Sequence, residues 1–435
     1  MLKYLLFFIA IIWHVDAQNL YFPPVTGNQW ETTNPLTLGW CPEPIDELYQ
    51  YLENENTKAF LVLKDGKIVL EKYFGTFTRD SSWYWASAGK SMTAFLIGMA
   101  QQEGKLKLSD SSSKYLGKGW TSCTETEESF ITIRHQLTMT TGLDDRNVDL
   151  DCTLPECLKC FKSPGERWSY HNAPYTLLDG VIENASGQTI NQFLSNRLYS
   201  TTGMACLYLR LGYNNVLFSK PRIMARFGLL MLNKGNWNGQ PILTDMDYFN
   251  DMIHSSQNFN KSYGYLWWLN GQESYMAPGL QFVFNGSLSP SGPDDMYSAL
   301  GKNGQILSIV PSQNIIVVRM GDAPNTGLVP FTMVDSIWRR LNQIICIPNH
   351  TQNGRTSNQD LQLIPNPASD YFTMQMEEIP VKYEVYNSYG QRISQNEIVV
   401  SNQKISTQQW SNGIYWLKVY LKNGQSFSKS LLISR

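Results

Sequence analysis

From Pro44 onward the apolar positions fall into segments whose period switches between helical and extended. PIDELYQYLENEN (44–56) spaces its apolar residues three and four apart, which predicts an amphipathic helix. AFLVLKDGKIVLEKYFG (59–75) follows as two β-rich runs meeting at Asp65-Gly66, a dipeptide suited to the positive φ angles of a tight hairpin turn. A second such pair, ILSIVPSQNIIVVRMG (306–321), precedes another amphipathic stretch, LVPFTMVDSIWRRLNQII (328–345). Hairpins at both ends with helices beside them predict one α/β domain, an antiparallel sheet flanked by helices. The long middle, Ser91 to about Met252, keeps a mostly helical period and predicts an inserted helical lobe. A cleft between sheet and lobe is a natural place for a site.

NHTQNGRTSNQD (349–360) is polar and without hydrophobic period, as a linker between residues 18–348 and 361–435 would be. Beyond it, LQLIPNPASDYFTMQM, VKYEVYNSYGQRI and QKISTQQWSNGIYWLKVYLKNGQSFSKSLLIS are short β-rich runs, with turns at Asn387–Gly390, Ser411–Gly413 and Lys422–Gly424. They predict a small all-β sandwich. It holds no cysteine and no histidine, and no catalysis is expected there. At the other end, Lys3, the apolar run Tyr4–Trp13 and the small-residue site Val15-Asp16-Ala17 read as a secretory signal, residues 1–17, cleaved before Gln18. A retained anchor is the alternative, but the run is short for a bilayer span and no later segment approaches ~20 apolar residues. The mature protein is expected to be exported and to have no transmembrane segment.

Charge narrows the partners. Thirty-five basic and 37 acidic residues, with no long run of either sign, leave no electrostatic footprint for nucleic acid. Export bears on the seven cysteines, because an oxidising compartment favours disulfides. Cys152, Cys157 and Cys160 are crowded into DCTLPECLKC; a zinc site there lacks a fourth ligand at finger-like spacing, although His171 is near, and a local Cys152–Cys157 disulfide is the expectation. No metal and no cofactor is expected. An odd total leaves one thiol free or paired outside the chain.

Candidate chemistry starts at WYWASAGKSMTAFL (83–96). Gly89-Lys90-Ser91 has the letters that end a phosphate loop, but that loop needs glycine at position 84, which is Tyr84. Read from Ser87, the same letters give a nucleophile at the start of a predicted helix over 88–102, with Lys90 three residues on and on the same face. Alone, Ser-x-x-Lys is equally an N-cap beside a solvated lysine. Two further stretches change that balance: Trp168-Ser-Tyr170-His-Asn172, and Ala299-Leu-Gly-Lys302-Asn-Gly304-Gln305 just before the 306–321 hairpin, where Lys302–Gly304 is expected on a strand entering the sheet. Ser-x-x-Lys, Tyr-x-Asn and Lys-x-Gly in that order are the motifs of the serine β-lactamase and penicillin-binding superfamily.

On these motifs, and on ITIRHQLTMTTGLDD (131–145), residues 38–348 resemble the class C β-lactamase-related serine hydrolases, a group that includes D-alanyl-D-alanine carboxypeptidases, esterases and 6-aminohexanoate-dimer hydrolases. The resemblance implies that fold, with a helical lobe beside the sheet, and a secreted hydrolase cleaving an ester or amide through an acyl-enzyme on Ser87. It implies Lys90 as the activating amine. Tyr170 becomes a proton shuttle, its pKa lowered by Lys90 and Lys302. Asn172 would bond substrate and Lys90, and the oxyanion hole would combine the N–H groups of Ser87 and of Gln305, which follows Gly304. Each has a bland rival: Tyr170 as a half-buried aromatic, Asn172 as an N-cap, Lys302 as an exposed strand residue. Lys302-Asn-Gly-Gln departs from the Lys-Thr-Gly of penicillin-recognising members and resembles the hexanoate-dimer hydrolase and esterase branch, which puts β-lactam turnover in doubt but not acyl chemistry. D-alanyl peptidase or β-lactamase activity, and a catalytically silent binding protein, are the competing expectations; the substrate would be a small ester, amide or short peptide.

IPNPASD (364–370), YNSYGQRI (386–393), NGIYWLKV (412–419) and a basic last residue resemble the type IX secretion sorting domain. That resemblance implies export across inner and outer membranes, contact with the secretion machinery, and a secreted or cell-surface location. A carbohydrate-binding sandwich is the structural alternative.

Overall fold

The computed structural model describes residues 20–146, 148–323, 327–346, 361–376, 378–387, 390–398, 403–422 and 425–435. The expected secretory signal and linker lie outside them, as do parts of the turns expected at 387–390 and 422–424.

Both predicted hairpins form and meet in one sheet. Strands β1 (Thr57–Lys64), β2 (Lys67–Tyr73), β3 (Trp268–Leu269), β4 (Tyr297–Gly301), β5 (Gln305–Val310) and β6 (Ile315–Gly321) are ordered β2-β1-β6-β5-β4-β3. All neighbours are antiparallel. The β1–β2 turn uses positive φ at Asp65 (52°) and Gly66 (82°), the backbone that Asp-Gly supplies at least strain. β1 pairs β6 across the whole domain, Leu61 opposite Val318, so the sheet closes only when residues some 250 apart in sequence meet.

Every residue of β5 and β6 is buried, because helices cover the sheet. Helix α1 (Ile45–Asn54) packs on α5 (Phe331–Ile344), which buries Phe331, Val334, Ile337, Trp338 and Leu341 at helical spacing. The Cys41–Cys346 disulfide ties the segments that flank this pair. α4 (Pro221–Leu232) lies on β5 and β6 through Gly228, where an added Cβ would fall 2.8 Å from both Ile316 and Leu307. The middle lobe carries α2 (Gly89–Gln102) and α3 (Asn172–Thr176). It is less helical than its period predicts: Cys206–Leu211 and Asn214–Ser219 form a hairpin that pairs with Trp83–Tyr84. Gly212, at φ 61°, makes that reversal possible, and the alternating LYLRL run before it is a strand signal.

The C-terminal residues form the expected two sheets, with β7 (Gln362–Ile364), β8 (Tyr371–Gln375), β9 (Lys382–Asn387), β10 (Arg392–Glu397), β11 (Ile405–Ser406), β12 (Gly413–Tyr420) and β13 (Ser426–Ile433) ordered β7-β8-β11 and β10-β9-β12-β13. Leu363, Phe372, Val385, Leu417, Val419 and Leu431 fill the space between them. Among the described residues no helix is long and apolar enough to cross a membrane.

Candidate active site

Ser87 lies in a single 3-10 turn, Ala86–Ala88, that runs into α2. The turn is held from two sides. Trp85 N–H donates to Leu217 O (2.8 Å) and its indole N–H to Ser219 Oγ (2.8 Å), which fastens it to the lobe hairpin. On the other side Gly301, at the end of β4, presses against its backbone: an added Cβ would sit 2.4 Å from Trp85 O, 2.9 Å from Ala88 N and 3.0 Å from Ser87 N. Ala86 adopts φ 47°, a left-handed backbone in a residue with a Cβ, which persists only where the surroundings over-determine it.

Lys90 Nζ donates to Ser87 Oγ at 3.0 Å. Its neighbour Ser91 turns away to Leu266 O (2.8 Å), so the amine belongs with Ser87. Lys90 is 4 % exposed and its Nζ stands over the rings of Tyr175 (4.1 Å) and Tyr170 (5.3 Å). Burial pushes its pKa down to about 7, against the upward pull of Asp151 and Asp179. Asp179 is buried too; loss of water raises its carboxyl to about 7, opposed by the amide of Asn215 at 2.9 Å. Near neutral pH the amine is therefore poised between its two forms, as a general base must be.

Tyr170 stands 3 % exposed among Trp168, Tyr263 and Trp268, with ring centroids 5.7–6.3 Å away. The expected lowering of its pKa does not occur. Burial raises it, and the nearby Ser87 hydroxyl only partly offsets that. Tyr170 Oη has no partner within hydrogen-bonding distance, so it is a buried phenol with an unused donor. His171, between the motif residues, is buried with both ring nitrogens unpartnered and its pKa pushed down to about 4 by loss of water.

Asn172 is the first residue of α3, where His171 is the cap, and it makes no cap bond of its own. Its Nδ2 donates to Asp151 Oδ1 at 2.7 Å, and its buried Oδ1 is unpartnered. Asp151 was not foreseen as part of the site. It sits beside Cys152, and its segment is pinned by the disulfides Cys152–Cys157 and Cys123–Cys160 and by the bond from Ala173 N–H to Leu150 O (2.8 Å). Those two disulfides dispose of the zinc alternative; Cys206 is the free thiol. The crowded cysteines were the signal that this segment is anchored next to the site.

The third motif requires a correction. Lys302–Gly304 is a turn joining β4 to β5, with Asn303 at φ 62° and Gly304 at φ 78°, not a strand. Asn-Gly favours left-handed turn positions, and here that local preference ends the strand at Gly301. Lys302 is exposed. The residue that approaches the nucleophile is Gly301, which faces Gln305 across the hairpin. Gln305 is fully buried and its side chain is spent on the sheet: Nε2 donates to Gly321 O (2.7 Å) and Oε1 accepts from Gly321 N (3.1 Å). Beneath the turn lies a cation that the motifs did not reveal. The buried Arg319 donates to Asn303 O (3.0 Å), Gly304 O (2.6 Å), Glu55 O (2.6 Å) and Thr57 Oγ1 (3.0 Å). Burial lowers its pKa to about 10.

The Beta-lactamase family profile matches residues 52–327, more than half of the chain. The chain belongs to the beta-lactamase family. It is a serine hydrolase of that family, whose chemistry proceeds through an acyl-enzyme. The Secretion system C-terminal sorting domain profile matches residues 362–434, which indicates export to the exterior or the cell surface. An uncharacterised protein of Alkalihalophilus pseudofirmus is 24 % identical over 298 residues, spanning 60 % of this chain and 82 % of that one. Among solved structures, the one titled "Putative 6-aminohexanoate-dimer hydrolase from Bacillus anthracis" superposes with TM-score 0.57 at 19 % identity, over 75 % of this chain and 89 % of its own. A family VIII carboxylesterase gives TM-score 0.53 at 13 % identity, over 72 % of this chain and 99 % of its own. At these identities the structural likenesses establish the fold.

Proposed function

We propose that this beta-lactamase-family hydrolase, comprising residues 18–348, cleaves a small ester or short amide through an acyl-enzyme on Ser87. The observation that carries the reading is the 3.0 Å bond between the buried Lys90 amine and the Ser87 hydroxyl, with the amine's pKa near 7. Neutral Lys90 takes the Ser87 proton as Oγ attacks the carbonyl. The oxyanion is met by the Ser87 N–H, close to Gly301, and by the backbone N–H of Gln305, which opens β5 after the turn, an arrangement worth about 3 kcal/mol per donor.

The raised pKa of Tyr170 alters the role it was expected to play. A phenol that holds its proton is a poor base but a suitable acid, so Tyr170 Oη gives its proton to the leaving oxygen or nitrogen and regains one by way of Lys90. In deacylation neutral Lys90 takes a proton from the water that attacks the acyl carbonyl and returns it to Ser87 Oγ as the acyl–oxygen bond breaks. Asn172 holds the Asp151 carboxylate, whose charge acts on the Lys90 amine. Preference for esters over β-lactams follows from Lys302 lying exposed on a turn, where it offers a β-lactam carboxylate no desolvated cation.

A fluorophosphonate probe tests the nucleophile: wild type is expected to label and Ser87→Ala not to, and equal labelling of the two refutes it. Substrate preference is read by comparing p-nitrophenyl acetate with nitrocefin. Faster nitrocefin turnover would overturn the ester assignment and leave the acyl-enzyme intact.

A further inference from the structure

The C-terminal β-module meets the hydrolase domain through a face that a free sandwich would leave exposed. Side chains alternate along β12: Tyr415, Leu417 and Val419 point into the module's own core, while Ile414 and Trp416 belong to the hydrolase domain's core. Cross-strand neighbours extend that outer face, Tyr386 lying opposite Trp416 and Leu432 opposite Ile414. Both Tyr386 and Leu432 pack on the hydrolase core as well.

The receiving surface is a short hairpin of the hydrolase domain, Ser274–Tyr275 paired with Phe284–Asn285. Phe284 stands 4.7 Å from Trp416 and Phe282 5.4 Å from Tyr386, centroid to centroid. Lys418 Nζ lies 4.9 Å over the Phe282 ring. Backbones also come together: a Cβ on Gly390 would fall 2.7 Å from Gly279 O. Aromatic residues facing one another, a buried Trp at the centre and a lysine at the rim have the composition of a durable interface, not of a linker-held juxtaposition. From the same face of the hairpin the packing continues inward: Tyr275, itself 6.5 Å from Trp416, to Phe331 (5.9 Å), Phe331 to Trp268 (4.9 Å) and Trp268 to Tyr170 (5.7 Å), so the module caps the outer end of the packing that surrounds the site.

We propose that this interface binds the sorting module to the hydrolase domain on its own, so that cutting the chain between them does not release the enzyme. The occupant of the hairpin surface is the protein's own C-terminal module, and its Trp416 is the anchor. A protein exported by this module would then stay attached to it after processing, held by packing instead of by a peptide bond.

The test uses the full chain with a protease recognition sequence inserted after Gly354. After complete cleavage the two fragments are expected to co-elute in size-exclusion chromatography at about 1 μM, and separate elution would overturn the proposal. With Trp416→Ala the Kd measured by analytical ultracentrifugation is expected to rise by about 30-fold or more, the effect of an interface anchor. An unchanged Kd would remove Trp416 as the anchor and refute the interface. Lys418→Gln is the second variant; Lys418 is half-buried and lies opposite Glu384 across the sheet, and the neutral amide removes the amine without placing a second carboxylate there. It is expected to weaken association several-fold, and tighter binding would contradict the packing of the amine on Phe282. None of these readouts depends on hydrolase activity.

Discussion

Lys90 and Lys302 stand in two motifs that resemble one superfamily's, yet the fold treats them as different chemical objects. Lys90 is packed with its amine over the rings of Tyr175 and Tyr170, reaches Ser87 Oγ at 3.0 Å, and is pushed by burial down to a pKa of about 7. Lys302 projects from an Asn-Gly turn, exposed to solvent. The cation that matters to that turn is Arg319 beneath it, which holds the carbonyls of Asn303 and Gly304. A lysine becomes a base where its amine is desolvated and aimed at a hydroxyl; the letter in a motif secures neither condition.

Lys90→Met should be the sharpest break in this comparison. Removing the proton acceptor is expected to lower the acylation rate by about 10³-fold, within the range of general-base contributions, as measured by single-turnover ester cleavage. The companion observation is a pH profile. The neutral amine is the active form and its pKa is lowered to about 7, so kcat/KM should rise with pH through about 7 and level off above it. A profile flat between pH 5.5 and 8.5 would assign the proton to another group.

Tyr170→Phe comes next, with about 10²-fold expected from loss of a general acid. Because the phenol keeps its proton well above neutral pH, no alkaline limb below about pH 10 should accompany its action. The loss should be larger for an amide than for a p-nitrophenyl ester, whose leaving group needs no proton; equal losses would make Tyr170 a packing residue.

Arg319→Leu tests the cation hidden below the turn. Four acceptors lose their donor, and the chain should be destabilised by about 3 kcal/mol or more, measured by urea unfolding. Lys302→Ala should do least: as a solvated surface change it is expected to shift stability by no more than about 0.5 kcal/mol. Its ester turnover is expected to stay within about twofold of wild type. A large loss in Lys302→Ala would restore the role first expected of it.

The turn at 302–304 shows local backbone preference overriding a motif. The Asp65-Gly66 dipeptide predicts a hairpin turn and forms one, with both residues at positive φ. Asn303-Gly304 carries the same preference and adopts the same backbone, but the superfamily motif drew it into a strand. Local turn chemistry was the better guide at that position. The same holds at Cys206–Leu211, where the local alternating run bounded by Gly212 forms a strand against the helical period of the surrounding lobe.

Much was settled by order and period alone: two hairpins, two flanking helices, a separate β-rich C-terminal region, and a serine with a lysine one helical turn on. These are properties of neighbours in sequence, and backbone preference or hydrophobic period expresses them directly. What tertiary structure decided is which groups lose water and which face each other. Asp151 meets Asn172 because two disulfides pin its segment; Gly301 meets Ser87 because β4 ends against the nucleophile's turn; Tyr170 keeps its proton because aromatic residues from distant segments close around it. Desolvation and long-range contact depend on everything packed around a group, and no window of sequence holds that information.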